Sequence, residues 1–460
     1  MLNIIIIGAG KLGCHVASVL SKENHNITLV DLDPNLLHSV SDTMDVATKG
    51  GSGTDWRLLE DLLELSPDVL IALTGSEETN LVACEIAKHL RYPRTIARVR
   101  HSSYLNNARL DFGRIFDVDY LVAPELLAAH DILKDILNPG ALFVENFAHG
   151  ALQARTLMIP TDWHCKDSRL KHFKLPENII VGLIRRELKE EAGNSKSKFP
   201  VKEVIFPHGD DAILPGDEVT FIGATEAVGE IPALFKIPQS QVNSAVIAGG
   251  SIIAEHLARE LVKRGIDVCI IEKNYARCSF LANELPNCTI MHHDATDIAF
   301  LQAEKIGNAD ILVACTDSDE RNLLMALLGK EIECQDSLVV VNNSDYIPLV
   351  TRLGLRHTIS PCISTTNHIL SQLRFGKINS LVSLYENQAE IMEINVSLNS
   401  RIVGIPLSEL GPHFPRDLLI VMIQNRGRIM IAHGNRIISP GDTVIVVTSP
   451  KHVDELAKIF

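Results

Sequence analysis

The sequence predicts an α/β fold in duplicate, two parallel sheets covered by helices and each followed by a small α+β lobe. Three observations predict it. Short Ile/Val/Leu-rich runs alternate with amphipathic stretches over the first 130 or so residues, the pattern of a buried parallel sheet. The same succession recurs about 240 residues later. Beyond each succession lies a strand-rich segment with a matching ending, Pro207-His-Gly-Asp-Asp-Ala-Ile-Leu-Pro-Gly-Asp217 against Ala432-His-Gly-Asn-Arg-Ile-Ile-Ser-Pro-Gly-Asp442.

In the first copy the expected strands are Asn3–Ile7, Asn26–Val30, Val69–Leu73, Thr95–Val99 and Tyr120–Ala123. Their counterparts are Ala245–Ala248, Asp267–Ile271, Ile311–Ala314, Leu338–Val341 and Thr358–Ile359. Landmarks fix the alignment: Gly8 with Gly249, Asp31 with Glu272, Thr74 with Thr316, Asn80 with Asn322, Tyr104 with Tyr346, and Pro124 with Pro361. In each small lobe a Pro-Gly-Asp turn precedes a last strand, Val219–Ile222 or Val444–Val447. His208 and His433 fall at matching places before these turns and read as parts of a repeated hairpin. About fourteen extra residues sit between Arg185 and Pro207, and the polar stretch Glu187–Lys198 reads as an exposed loop there. The domains expected are residues 1–137 and 138–234 for the first copy, then 242–376 and 377–460 for the second.

With 46% hydrophobic and 22% charged residues, the 460-residue chain can bury a core in each domain. A formal charge of −14 repels phosphate backbones and argues against a nucleic-acid partner. The apolar runs fall short of the roughly 20 residues that span a bilayer, and Met1-Leu-Asn-Ile4 enters a strand with no signal-peptide pattern. A cytoplasmic location is therefore expected. The nine cysteines form no Cys-x-x-Cys and read as buried apolar residues. His292-His-Asp294 invites a metal, but adjacent histidines on a strand point to opposite faces, so no metal site is expected.

Chemistry concentrates at the turn Gly8-Ala9-Gly10-Lys11-Leu12-Gly13, which follows a strand and opens a helix. Gly8 permits the tight turn, Gly10 lets a phosphate approach backbone amides, and Gly13 lets the helix pack on the strand. Asp31, 23 positions after Gly8, stands where an acid accepts from ribose hydroxyls. This is the signature of a Rossmann-like nucleotide-binding lobe. Thr74 and Gly75 follow the third strand and are expected to line the ligand, with Ser76 capping the next helix. Arg98 and Arg100 alternate on one strand face, where two guanidinium groups suit phosphate oxygens or a salt bridge. In the second copy, Gly249-Gly250-Ser251-Ile252-Ile253-Ala254 replaces two of the three glycines, Glu272 keeps the acid, and Val340 and Asn342 replace the arginines. This copy is expected to be degenerate.

Five segments together carry a resemblance: Gly8–Gly13, Val30-Asp-Leu-Asp33, Ala72–Cys84, Ile96-Ala-Arg-Val-Arg100 and Ala123-Pro-Glu-Leu-Leu127. The chain resembles the TrkA-type peripheral subunits of Trk potassium uptake systems, built from tandem potassium-conductance-regulating domains. The resemblance implies a homo-oligomeric cytoplasmic ring on the inner face of the plasma membrane, docked on a membrane potassium transporter. It also implies regulation by NAD(H) or adenine nucleotides (ATP/ADP). Carried over residue by residue, the first site is Gly8 to Leu12, Asp31, Thr74, Gly75, Arg98 and Arg100. The second is Gly249 to Ile253 with Glu272. The alternatives are a duplicated NAD(P)-dependent dehydrogenase, for which no general acid or base is apparent, and a regulator of another cation transporter.

Overall fold

The computed structural model describes the 460-residue chain except residues 106–108, 166–168, 188–201, 238–240, 356, 374–377, 386–387, 411–413, 426, 454–455 and 457–458. The polar stretch expected as a loop lies, apart from Glu187, outside the described residues, as do parts of the expected boundaries near residues 234–241 and 376–379.

Each α/β lobe is a six-stranded parallel sheet. The first contains β1 (Asn3–Ile7), β2 (Asn26–Asp31), β3 (Ala47–Gly50), β4 (Val69–Ala72), β5 (Thr95–Arg98) and β6 (Tyr120–Val122), in the order β3-β2-β1-β4-β5-β6. Strand order reverses beside β1, and a ligand crevice opens at the carboxyl ends of strands at such a point. The near-continuous Ile and Val runs of β1 and β4 are buried because helices cover both faces. Ala47-Thr-Lys-Gly50 has no apolar periodicity, and sequence reasoning omitted it; as an exposed edge strand it is held by backbone pairing to β2.

The antiparallel first small lobe has β7 (Ala141–Phe147), β8 (Leu152–Met158), β9 (Ile179–Glu187), β10 (Lys202–Ile205) and β11 (Glu218–Ala224), in the order β10-β9-β11-β8-β7. The second α/β lobe repeats the first: β12 (Ser244–Ala248), β13 (Asp267–Glu272), β14 (Thr289–His292), β15 (Ile311–Ala314), β16 (Asp336–Val340) and β17 (His357–Ile359), ordered β14-β13-β12-β15-β16-β17. The last lobe carries β18 (Ile378–Leu384), β19 (Ala389–Asn395), β20 (Leu418–Asn425), β21 (Arg428–Ile431) and β22 (Thr443–Thr448).

Contacts group these lobes by kind rather than by copy. One compact unit holds residues 1–133 with 242–369, and the other holds 134–241 with 370–460. In the second unit the two antiparallel sheets share one apolar core, with Phe147, Leu183 and Ile222 against Val382, Ile391 and Val447. In the first unit, Ser364 bonds to Asp131 and Ser344 to His15, joining the two parallel-sheet lobes. Among the described residues no helix is long and apolar enough to cross a membrane.

Candidate functional site: two nucleotide cradles

The turn after β1 is built as its glycines predict. Gly8 has φ +108° and donates to the Val30 carbonyl at 2.7 Å. A Cβ on Gly13 would lie 1.9 Å from the Gly8 carbonyl oxygen, whereas one on Gly10 would meet nothing within 4 Å. That open side of Gly10 is where a phosphate can reach the amides of the helix Lys11–Lys22. Asp31 ends β2 and accepts from the Ala9 amide at 2.6 Å and from Asp33 at 2.9 Å, so its carboxylate is fixed beside the turn.

The second turn has the same backbone. Gly249 has φ +105°, and Ser251 holds φ −64° and ψ 173° against −69° and 178° at Gly10. The Ser251 hydroxyl accepts from the Ala254 amide, replacing a glycine with a helix cap. Glu272 accepts from the Gly250 and Asn274 amides, both at 2.6 Å, reproducing the contacts of Asp31. The lost glycines therefore leave the turn's course intact.

The loops beyond β4 and β15 are stitched by one buried asparagine each. Asn80 accepts from the amide and hydroxyl of Thr74 and donates to the carbonyls of Thr74 and Arg98. Asn322 does the same with Thr316 and Val340. Ser76 accepts from the Thr79 amide, capping the helix Glu77–His89. No Cβ contact crowds Gly75.

Arg98 and Arg100 share a face, but what they meet first is a carboxylate. Both donate to Oε1 of Glu125, at 3.0 and 3.2 Å. The salt bridge weighed for them at the outset is thus present. Arg100 uses only Nε for it, and its guanidinium lines the pocket of the other copy. That pocket, about 480 Å³, is bordered by Gly249, Gly250, Ser251, Ile252, Glu272 and Thr316.

Sequence reasoning missed three cations on its rim: Lys273, Arg277 and Arg321. Arg277 donates to the carbonyls of Gly250 and Ser251 and pairs with Glu255 at 3.0 Å. Lys273 and Arg321 share Asp294, at 3.0 and 3.1 Å. Hydrogen bonds from Thr296 and these two cations hold the Asp294 carboxyl well below its usual range. The available signal was the alignment itself, since Leu32, Leu36 and Thr79 occupy the matching positions in the first copy. Of the two histidines weighed as metal ligands, His292 bonds to the Lys273 carbonyl and His293 to Asp297.

The TrkA-N domain matches residues 4–122 and again 245–361, and the TrkA-C domain matches residues 391–460. The chain belongs to the TrkA family. A Trk system potassium uptake protein TrkA homolog from Methanosarcina mazei is 30% identical over the whole of both chains. TrkA of Haemophilus influenzae is also 30% identical, over all of this chain and 98% of its own length. The fold is shared with the GsuK RCK domain, at TM-score 0.60 and 17% identity over 99% of this chain and 94% of that one. Another similar structure is the GsuK channel bound to NAD, at TM-score 0.59 and 16% identity, covering 99% of this chain and 78% of that one. The TrkA-N matches fall on both turn-and-acid cradles, the glycine-poor second one included.

Proposed function

We propose that this TrkA-family chain is a nucleotide-sensing regulatory subunit that gates a membrane potassium transporter from the cytoplasmic side, as a homo-oligomeric ring. The observation that carries the reading is the tandem pair of cradles, in which Asp31 and Glu272 are each locked to a turn amide at 2.6 Å. Each cradle offers what a nucleotide needs: an acid for ribose hydroxyls, open amides at a helix N-terminus, and a hydroxyl-bearing loop after the fourth strand. NAD(H) and adenine nucleotides are the ligands this chemistry suits, and the GsuK channel bound to NAD has the same fold. In the first cradle the ligand would contact Gly8 to Leu12, Asp31, Thr74 and Gly75, with Arg98 exchanging Glu125 for phosphate; Arg100, expected from the sequence to serve this cradle too, lines the second pocket instead.

The mechanism is a population shift. A ligand moves a gating equilibrium only by its difference in affinity for the two states. Nucleotide binding in the first lobe changes the angle between lobes or subunits, and the ring transmits that change to the transporter. The test combines calorimetric titration of ATP, ADP, NAD and NADH with potassium flux in vesicles holding the transporter and this subunit. The expected result is nucleotide-dependent flux that Asp31→Ala abolishes. Saturating nucleotide that leaves both conformation and flux unchanged would show the reading to be wrong.

A further inference from the structure

The two cradles differ most in charge. Lys273, Arg277 and Arg321 border the second pocket where the first copy has Leu32, Leu36 and Thr79. A fourth cation, Arg100, reaches this pocket from the first copy. Against them the pocket lining carries two carboxylates, Glu272 and Asp317. Glu272 is already committed to two backbone amides.

Arg100 is only partly committed, and unlike the other three it comes from the first copy. Its side chain is 43% exposed, its Nε bonds to Glu125, and its terminal nitrogens have no hydrogen-bond partner among the described residues. Nor is the arrangement reciprocal. The second-copy counterpart of Arg100 is Asn342, whose side chain turns back to Asp319 at 3.0 Å.

We propose that the second cradle takes a nucleoside polyphosphate, with Arg321 and the first copy's Arg100 meeting its terminal phosphates. The retained acid is what selects a polyphosphate over a ribose-phosphorylated dinucleotide. Glu272 stands where ribose hydroxyls are read, and a 2′-phosphate there would face a carboxylate. Lys273 follows Glu272 directly and is paired with Asp294, whereas Arg277 bonds the carbonyls of the turn, Arg321 stands on the helix after β15 and Arg100 comes from the first copy, on the side where a phosphate chain extends. A guanidinium offers paired donors to phosphate oxygens, so Arg100 links occupancy of the second copy to the position of the first. The proposal rests on the reading of the chain as a nucleotide sensor and assigns the charge preference to its second site.

The experiment uses the full-length protein carrying Asp31→Ala, which leaves the second cradle as the acid-bearing site, titrated calorimetrically with ATP and with AMP. Arg100→Gln added to it is expected to weaken ATP by about tenfold or more and to change AMP by less than about twofold. Arg100→Lys, which keeps the charge, is expected to recover part of the loss. Equal weakening of ATP and AMP by Arg100→Gln overturns the proposal, as does an ATP isotherm already lost in Asp31→Ala alone. If wild-type protein takes up no nucleotide, the sensor reading falls together with this one. Binding in wild type with no effect of Arg100→Gln overturns this proposal and leaves the sensor reading standing.

Discussion

The carbonyl oxygen of Gly8 occupies the space that a side chain on Gly13 would need, 1.9 Å from an ideal Cβ. The obstacle is backbone, so no rotamer change relieves it. Gly13→Ala is therefore expected to displace the turn, to destabilise the first lobe by about 1–3 kcal/mol and to abolish nucleotide uptake by the first cradle. Urea unfolding followed by circular dichroism, with calorimetry, reads both effects. In the second copy Ala254 is already accommodated and fully buried. Ala254→Gly should cost only about 1 kcal/mol, the usual helix penalty.

Asn80 and Asn322 are 0% exposed and each satisfies four groups, two of them backbone atoms of the loop that follows the fourth strand. Replacement by alanine strands the amide of Thr74 or Thr316 without its acceptor. Each unsatisfied buried group costs about 1–3 kcal/mol. Asn80→Ala should loosen the first loop, and Asn322→Ala the second, each seen as faster hydrogen exchange at its own threonine amide. Equal exchange in variant and wild type would mean that the loops are held by other contacts.

What the sequence made legible follows from how each feature is encoded. Gly8, Gly13 and Asp31 act through steric fit and backbone geometry, which leave a fixed spacing in the chain, and the sheet orders repeat because the apolar runs repeat. The edge strand Ala47–Gly50 escaped because backbone pairing alone holds it. In the second cradle the backbone course survives the loss of the Gly10 and Gly13 counterparts, because Ser251 caps the helix and Ala254 fits. Lys273 and Arg321 meet at Asp294 only once two loops are folded together, and Arg100 reaches the second pocket only once the two lobes pack.

His15 and His256 occupy equivalent positions on the helices that open each cradle, and both are partly buried between the parallel-sheet lobes. Burial pushes both imidazoles below their ordinary value of 6.5, with Lys22 adding to this and Asp345 opposing it at His15. At His256, Glu255 and Glu125 oppose the shift, while Arg259 and His130 reinforce it. The unfolded chain then binds protons that the folded one refuses. Stability is fully present above about pH 6.5 and is lost as pH falls below it, each histidine contributing at most about 1.4 kcal/mol per pH unit. Urea midpoints measured from pH 7.5 to 5.5 should fall in wild type. In His15→Gln/His256→Gln the slope should flatten, and an unchanged slope would assign the proton uptake to other groups.

Asp217 and Asp442 close the two Pro-Gly-Asp turns and are both 2% exposed, but their partners differ in charge. Asp217 accepts from the Leu214 amide at 2.8 Å and pairs with Arg186 through two bonds, at 2.9 and 2.7 Å. Arg186 also donates to the Ala212 carbonyl, and its bonds to Asp217 outweigh burial and raise its own pKa. Asp442 makes the equivalent turn bond to the Ser439 amide at 2.9 Å but takes its side-chain bond from neutral Asn425. Removing Asp217 strands a half-buried guanidinium, whereas removing Asp442 strands only an amide. Asp217→Ala is expected to cost about 3 kcal/mol or more and Asp442→Ala about 1–2 kcal/mol. Arg186→Met combined with Asp217→Ala should recover part of the first loss, because the stranded charge is gone. Chemical denaturation of the four proteins tests this, and equal losses at the two turns would show that the ion pair adds nothing to the turn bond.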